Sequence, residues 1–153
     1  MSTRTHSLNL LPLIIADVYE LAGRFRERGE TIAQKVGQTQ ARWQVMSVAS
    51  GTPLTVAQVA RRLGVSRQNV QRIADALVRE CWASFERNPD HSGSPFLVLN
   101  ERGLAALAEI TAGAKAYHAG ITAKLVPAEL KSIQRGLRRL LDATAKSPQS
   151  KET

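Results

Sequence analysis

The sequence predicts a mainly α-helical fold carrying one small β-hairpin. Three observations carry that expectation. Between Leu54 and Glu80, two amphipathic helices meet at a short turn built on Gly64 and Ser66. Directly after them, Cys81 to Asn100 breaks into the short apolar or alternating runs CWASFER and PFLVLN around the turn cluster NPDHSGS. On both flanks, long segments repeat apolar residues at spacings of three and four, the mark of a helix with one buried face.

The elements follow in order. Met1 to Ser7 is polar and expected to be mobile. A long helix is predicted from about Asn9 or Pro12 to Val36, with Pro12 tolerable only in its first turn. Leu13, Ala16, Val18, Tyr19, Ala22 and Phe25 form an apolar side. Leu8, Leu10, Leu11, Ile14 and Ile15 make its beginning apolar nearly all round, so that end should be buried against something. Arg24, Arg26, Glu27, Arg28 and Glu30 make a wet middle, and Gly37 closes the helix. Thr39 can cap a second helix, Gln40 to Ser50, with Trp43 and Met46 as core residues and Val45 and Val48 flanking them. Gly51-Thr52-Pro53 is a break.

The central segment reads LTVAQVARRLGVSRQNVQRIADALVRE. Thr55 can cap its first helix, whose apolar face is Val56, Val59, Ala60 and Leu63, with Arg61 and Arg62 on the wet side. Gly64 suits the left-handed stop and Ser66 the restart. The second helix turns Val70, Ile73, Ala74 and Leu77 inward and Gln68, Arg72, Asp75 and Arg79 outward, with Asn69 and Gln71 at the edges and Arg67 in the first turn. This is a helix-turn-helix. Its exposed half carries side chains that suit base edges in a major groove, since arginine can fork onto guanine and asparagine or glutamine onto adenine. The plainer reading is an amphipathic hairpin with a solvated face. The short turn, an outward face rich in amides and arginines rather than glutamate and lysine, and the strand-rich segment that follows favour DNA.

A hairpin placed directly after a recognition helix is a wing; its tip here is Asn88 to Ser94, with Arg87 at the base. Asn100 can cap a long helix from Glu101 to about Lys124, whose expected stripe is Leu104, Leu107, Ala108, Thr111, Ala114, His118 and Ile121. Pro127 suits the start of a last helix in which Leu130, Ile133, Leu137, Leu140 and Leu141 repeat the same spacing.

The chain's 153 residues suffice for one domain with a core, or one domain with dimerisation arms. A net charge of +8 favours a polyanionic partner, though it would serve RNA or an acidic membrane surface equally well. An aromatic content of 5% argues against a stacking platform for single strands. One cysteine, Cys81, excludes an internal disulfide and a cysteine-based zinc site, and beside Trp82 it reads as a small buried hydrophobe. The histidines His6, His91 and His118 show no metal spacing, and no cofactor is expected. The apolar run Leu8 to Ile15 is too short to span a membrane, and no cleavage site follows it, so a cytoplasmic protein without a membrane partner is expected. There is no phosphate-cradling loop, nucleophile grouping or paired carboxylate to suggest an enzyme.

The order helix, helix, helix-turn-helix, wing, long helix, last helix resembles the MarR family of winged helix-turn-helix regulators. The resemblance spans about Leu8 to Leu141 and is sharpest in ARWQVMSVAS, in the central segment, and in LVLNERGLAAL after the wing. It implies a homodimer built by long N- and C-terminal helices. Residues 1–36 would form the N-terminal dimerisation helix, 37–100 the DNA-binding lobe, 101–145 the C-terminal dimerisation helices and 146–153 a mobile tail. It implies binding to double-stranded, pseudo-palindromic DNA, usually as a repressor, and release by a small aromatic or lipophilic effector. Carried over by position, the groove-reading residues are Ser66, Arg67, Gln68, Asn69, Gln71 and Arg72, with Arg61 and Arg62 near the backbone, and Tyr19, Trp43 and His118 are candidates for an effector pocket. The family's wing commonly reads Asp-x-Arg or Asp-Arg-Arg, whereas Asp90 here is followed by His91-Ser92-Gly93-Ser94-Pro95. Arg87 is the available substitute. That missing arginine also supports a reading from another class: a helical dimer acting through protein–protein contacts, with the winged helix kept as scaffold.

Overall fold

A computed structural model describes residues 2–145, with side chains from Leu10 onward. The side chains of His6 and Leu8 and the expected mobile tail lie outside the described residues. The order is α1 (Ser2–Gln34), α2 (Gln40–Ala49), β1 (Leu54–Thr55), α3 (Val56–Leu63), α4 (Arg67–Arg79), β2 (Ala83–Glu86), β3 (Phe96–Leu99), α5 (Glu101–Thr122) and α6 (Pro127–Thr144). The mainly α fold with a small hairpin is therefore as expected.

The first helix starts earlier than expected. It runs from Ser2, so Pro12 lies well inside it rather than in its first turn. A proline there removes one backbone hydrogen bond, which a helix of 33 residues tolerates because its other bonds fix the chain on either side. Gly37, at φ +70°, closes α1, and Gln38 N–H returns to the Ala33 carbonyl at 3.1 Å. Thr39 caps α2 as expected, its hydroxyl accepting from Arg42 N–H at 3.2 Å.

The hairpin belongs to a three-stranded antiparallel sheet in the order β1-β3-β2. Leu54 pairs with Leu97 and Thr55 with Phe96, while Ala83 to Glu86 pair with Leu99 to Phe96. Strand β1 was not expected; two residues are too few to show alternation. The sheet packs with α2, α3 and α4 around one core, in which Val45, Met46, Val59, Val70, Leu77 and Leu97 are almost wholly buried. Each such side chain contributes roughly 1.5–3 kcal/mol of burial energy. Met46 is central as expected, but Val45 lies deeper than Trp43, which packs on the rim.

Helix α5 corrects the expected stripe. Its buried residues are Gly103, Ala106, Leu107, Ile110 and Ala114, whereas Leu104, Ala108, Thr111 and His118 are exposed. The helix is turned by about one position because Gly103 sits against the chain at Trp82, where a Cβ would come within 2.2 Å of the Trp82 carbonyl oxygen. Two compact units result: the first reaches Ala114, and the second begins at Lys115. The opening turns of α5 thus belong with the winged lobe, since Ala106 and Leu107 join its core. In the second unit, α6 has no buried residue; Ile133, Leu137 and Leu141 are exposed, and Leu130 and Leu140 are half-buried. No described helix is long and apolar enough to cross a membrane.

Candidate nucleic-acid interface

The site is built on the α3–turn–α4 unit. Thr55 closes a reciprocal cap at the start of α3: its hydroxyl accepts from Gln58 N–H at 3.3 Å, and the Gln58 side-chain oxygen accepts from Thr55 N–H at 2.8 Å. Gly64, at φ +65°, ends α3, with Val65 N–H returning to the Ala60 carbonyl at 3.2 Å. Ser66 then caps α4, its hydroxyl accepting from Asn69 N–H at 3.2 Å. Val70, Ile73, Ala74 and Leu77 anchor α4 inward, as the periodicity predicts. With both ends of the turn capped, the outer face of α4 is held on a rigid base.

That face gathers the expected groove readers. Ser66, Arg67, Gln68 and Arg72 are exposed, and Asn69 and Gln71 are half-buried on its two flanks. Two internal pairs order it: Gln71 Nε2 donates to Asp75 Oδ1 at 2.8 Å, and Arg72 Nη2 donates to Asn69 Oδ1 at 3.1 Å. Arg61 and Arg62 are exposed in the last turn of α3.

The wing lies beside this face. A cavity of about 110 Å³ separates Arg67 and Gln71 from Gly93, Ser94 and Pro95, with Phe85 and Val56 among its other walls. Asn88 organises the tip. It is buried, its side-chain oxygen accepts from Asp90 N–H at 3.0 Å, and its amide donates to the Ser94 carbonyl at 3.0 Å. Arg87, at the base, is exposed. The expected substitute cation is thus accessible, though the tip itself offers no arginine.

Between α4 and the start of α2, an open groove of about 640 Å³ is lined by Glu30, Thr39, Arg42, Arg72, Asp75 and Arg79 among others. Its rim holds a fork: Arg42 Nη1 and Nη2 donate to Glu80 Oε2 and Oε1 at 2.7 and 2.6 Å. This hydrogen bonding raises the Arg42 pKa and holds the Glu80 carboxyl below its usual range. The corner after α4 is gripped by α5. Arg102 donates to the Glu80 carbonyl at 3.0 Å and stacks 3.6 Å over the Trp82 ring. Asn100 donates from its side chain to the Cys81 carbonyl at 2.9 Å and from its N–H to the Trp82 carbonyl at 3.2 Å.

Cys81 is corrected by this corner. It is exposed, not buried, because it occupies the left-handed position that turns the chain out of α4, at φ +60°. Tyr19 is exposed on α1, Trp43 is half-buried at the rim of the lobe's core, and His118 is exposed on α5 with its ring 6.0 Å from that of Tyr117. None of the three lines the groove between α4 and the start of α2. Asp75 and Arg79, whose outward periodicity is visible in the sequence, also stand exposed on α4, and the Asn-Pro-Asp turn signal marks Asn88 in the wing.

The MarR family model matches residues 37–92, the span from the end of α1 through the wing tip. Uncharacterised proteins of Mycobacterium tuberculosis and Mycobacterium bovis are 48% identical over 130 residues, covering 85% of this chain and 91% of theirs. The chain belongs to the MarR family. Among solved structures, a MarR family transcription regulator superposes with a TM-score of 0.80 at 23% identity, covering 94% of this chain and 98% of its own. A MarR family transcriptional regulator from Streptomyces coelicolor, in complex with DNA, superposes with a TM-score of 0.77 at 18% identity, covering 89% and 92%. A mutant MarR from E. coli complexed with operator DNA gives a TM-score of 0.77 at 18% identity, covering 87% and 96%. The fold is shared with these regulators.

Proposed function

We propose that this MarR-family protein is a sequence-specific double-stranded DNA-binding repressor. It acts as a homodimer on a pseudo-palindromic operator and is released by a small aromatic or lipophilic molecule. The observation that supports DNA reading is the outer face of α4. Arg67, Gln68 and Arg72 stand exposed on a helix capped by Ser66, with the wing on one side and Arg61 and Arg62 at the end of α3. Those donors match base edges and phosphates. The homodimer is supported by exposed apolar side chains on α1, including Leu13, Ile15 and Phe25, and on α6, including Ile133, Leu137 and Leu141. A two-fold dimer would set its two recognition helices about one DNA turn apart, ~34–36 Å.

The arginine-poor wing tip supports the second reading, a dimer that works by protein contacts. Fluorescence anisotropy separates the two. The full chain is titrated with its own upstream intergenic DNA and with a scrambled duplex at several salt concentrations. Tighter binding to the upstream duplex that persists at physiological salt is the expected result. Arg72→Ala should then weaken that binding by ~1–3 kcal/mol. Equal affinity for both duplexes, lost as salt rises, together with no effect of Arg72→Ala or Gln68→Ala, would favour the protein-contact reading.

A further inference from the structure

The two side-chain pairs on α4 constrain what each partner can read. Arg72 gives one Nη2 hydrogen to Asn69 Oδ1, which leaves the rest of its planar fork with donors for the two acceptors of guanine. Asn69 is engaged differently. Its side-chain oxygen holds the Arg72 hydrogen with one of its two lone pairs, so the amide is already committed to orienting the guanidinium. Gln71 uses one of its two amide hydrogens on Asp75 Oδ1, which fixes which end of the amide is nitrogen. Its oxygen and second N–H remain for a base, and an amide that offers both a donor and an acceptor suits adenine. By helical periodicity Gln71 lies toward the wing flank and Asp75 at the centre of the outward face, so this bond draws the amide toward the groove side.

We propose that Asn69 and Asp75 are positioning residues, not base readers: Asn69 presets Arg72 for guanine, and Asp75 presets Gln71 for adenine at a neighbouring base pair. This rests on the DNA-reading function proposed above. Holding a long side chain in place before binding removes an ordering cost worth about two- to tenfold in affinity. Deleting a bidentate reader itself costs more, about fivefold to a hundredfold.

The test is selection from a pool of duplexes carrying a random core of ~30 bp, enough for two half-sites. It uses the full-length wild type and the variants Asn69→Ala, Asp75→Ala, Asp75→Asn and Arg72→Ala, with thermal melting to verify folding. The wild type should enrich half-sites with a neighbouring guanine and adenine. Asn69→Ala should reduce the guanine preference about two- to tenfold and leave the adenine preference intact. Asp75→Ala should do the reverse. Asp75→Asn, which keeps an acceptor oxygen while losing the charge, should restore the adenine preference. Arg72→Ala should abolish the guanine preference. If Asn69→Ala and Asp75→Ala change affinity equally for every sequence, with base preferences unmoved, the positioning roles are overturned and DNA reading stands. If the folded wild type enriches no sequence, the DNA-reading function falls and this inference falls with it.

Discussion

Gln38 is the side chain least at ease in the winged lobe. It is 1% exposed, and neither its amide nitrogen nor its oxygen has a hydrogen-bond partner. Burying an amide without partners costs more than any packing it adds. Gln38→Met, similar in length and without polar atoms, should stabilise the protein by ~1–2 kcal/mol, read from the denaturant midpoint. A loss of stability would show that the amide is satisfied in solution. Four residues further along, Arg42 ties α2 to Glu80 at the end of α4, and that bond lowers the Glu80 pKa below its unfolded value. A depressed carboxylate contributes stability that is present above the unfolded pKa and lost as pH falls through the folded one. The melting temperature should therefore drop as pH is lowered into and below the carboxylate range. Glu80→Gln should flatten that part of the profile, and an unchanged slope would remove Glu80 as its cause.

Among the elements, α4, β2 and the first turn of α5 meet at a close-packed corner. Gly103 lies in α5 with the Trp82 carbonyl filling the place of a Cβ, while Gly120, in the same helix, has nothing within 4 Å. Gly103→Ala should cost at least ~1–3 kcal/mol by overpacking. Gly120→Ala should stabilise by ~0.5–1 kcal/mol through helix propensity alone, so paired melting curves of the two should move in opposite directions. The same contrast explains which elements could be read from sequence. Helices α3 and α4 were legible to the residue because Thr55, Gly64 and Ser66 mark their ends and their inward faces alternate cleanly with polar ones. Helix α5 was not, because LAALAEITAGA offers apolar or small residues in more than one register. A contact with a distant backbone carbonyl chose between them. Likewise, the outward residues of α4 were legible, but the pairing of Asn69 with Arg72 and Gln71 with Asp75 was not. Spacings of three and four permit such bonds without selecting them.

In the whole molecule, α1 and α6 both leave large apolar side chains in water. Leu13 is 61% exposed on α1, as is Leu141 on α6. Ile133→Asp and Leu137→Asp together should convert a dimer into a monomer by light scattering and abolish cooperative occupation of a two-half-site duplex. They should leave the lobe folded, since neither residue belongs to its core. A variant that stays dimeric would remove α6 from the interface. The expected over-apolar start of the first helix is visible in the structure as exposed Leu10, Leu11 and Ile14. Strand β1 has a different kind of consequence, in time. Leu54 leaves the ribosome roughly forty residues before Leu97, the partner it pairs with. At ~5–20 residues per second, that interval is ~2–8 s. For about the last 1–4 s of it, α3 and α4 are complete, but the strand that closes their core is not. The newborn lobe therefore spends seconds with Val59, Val70 and Leu77 uncovered, a window in which a holdase chaperone has its substrate.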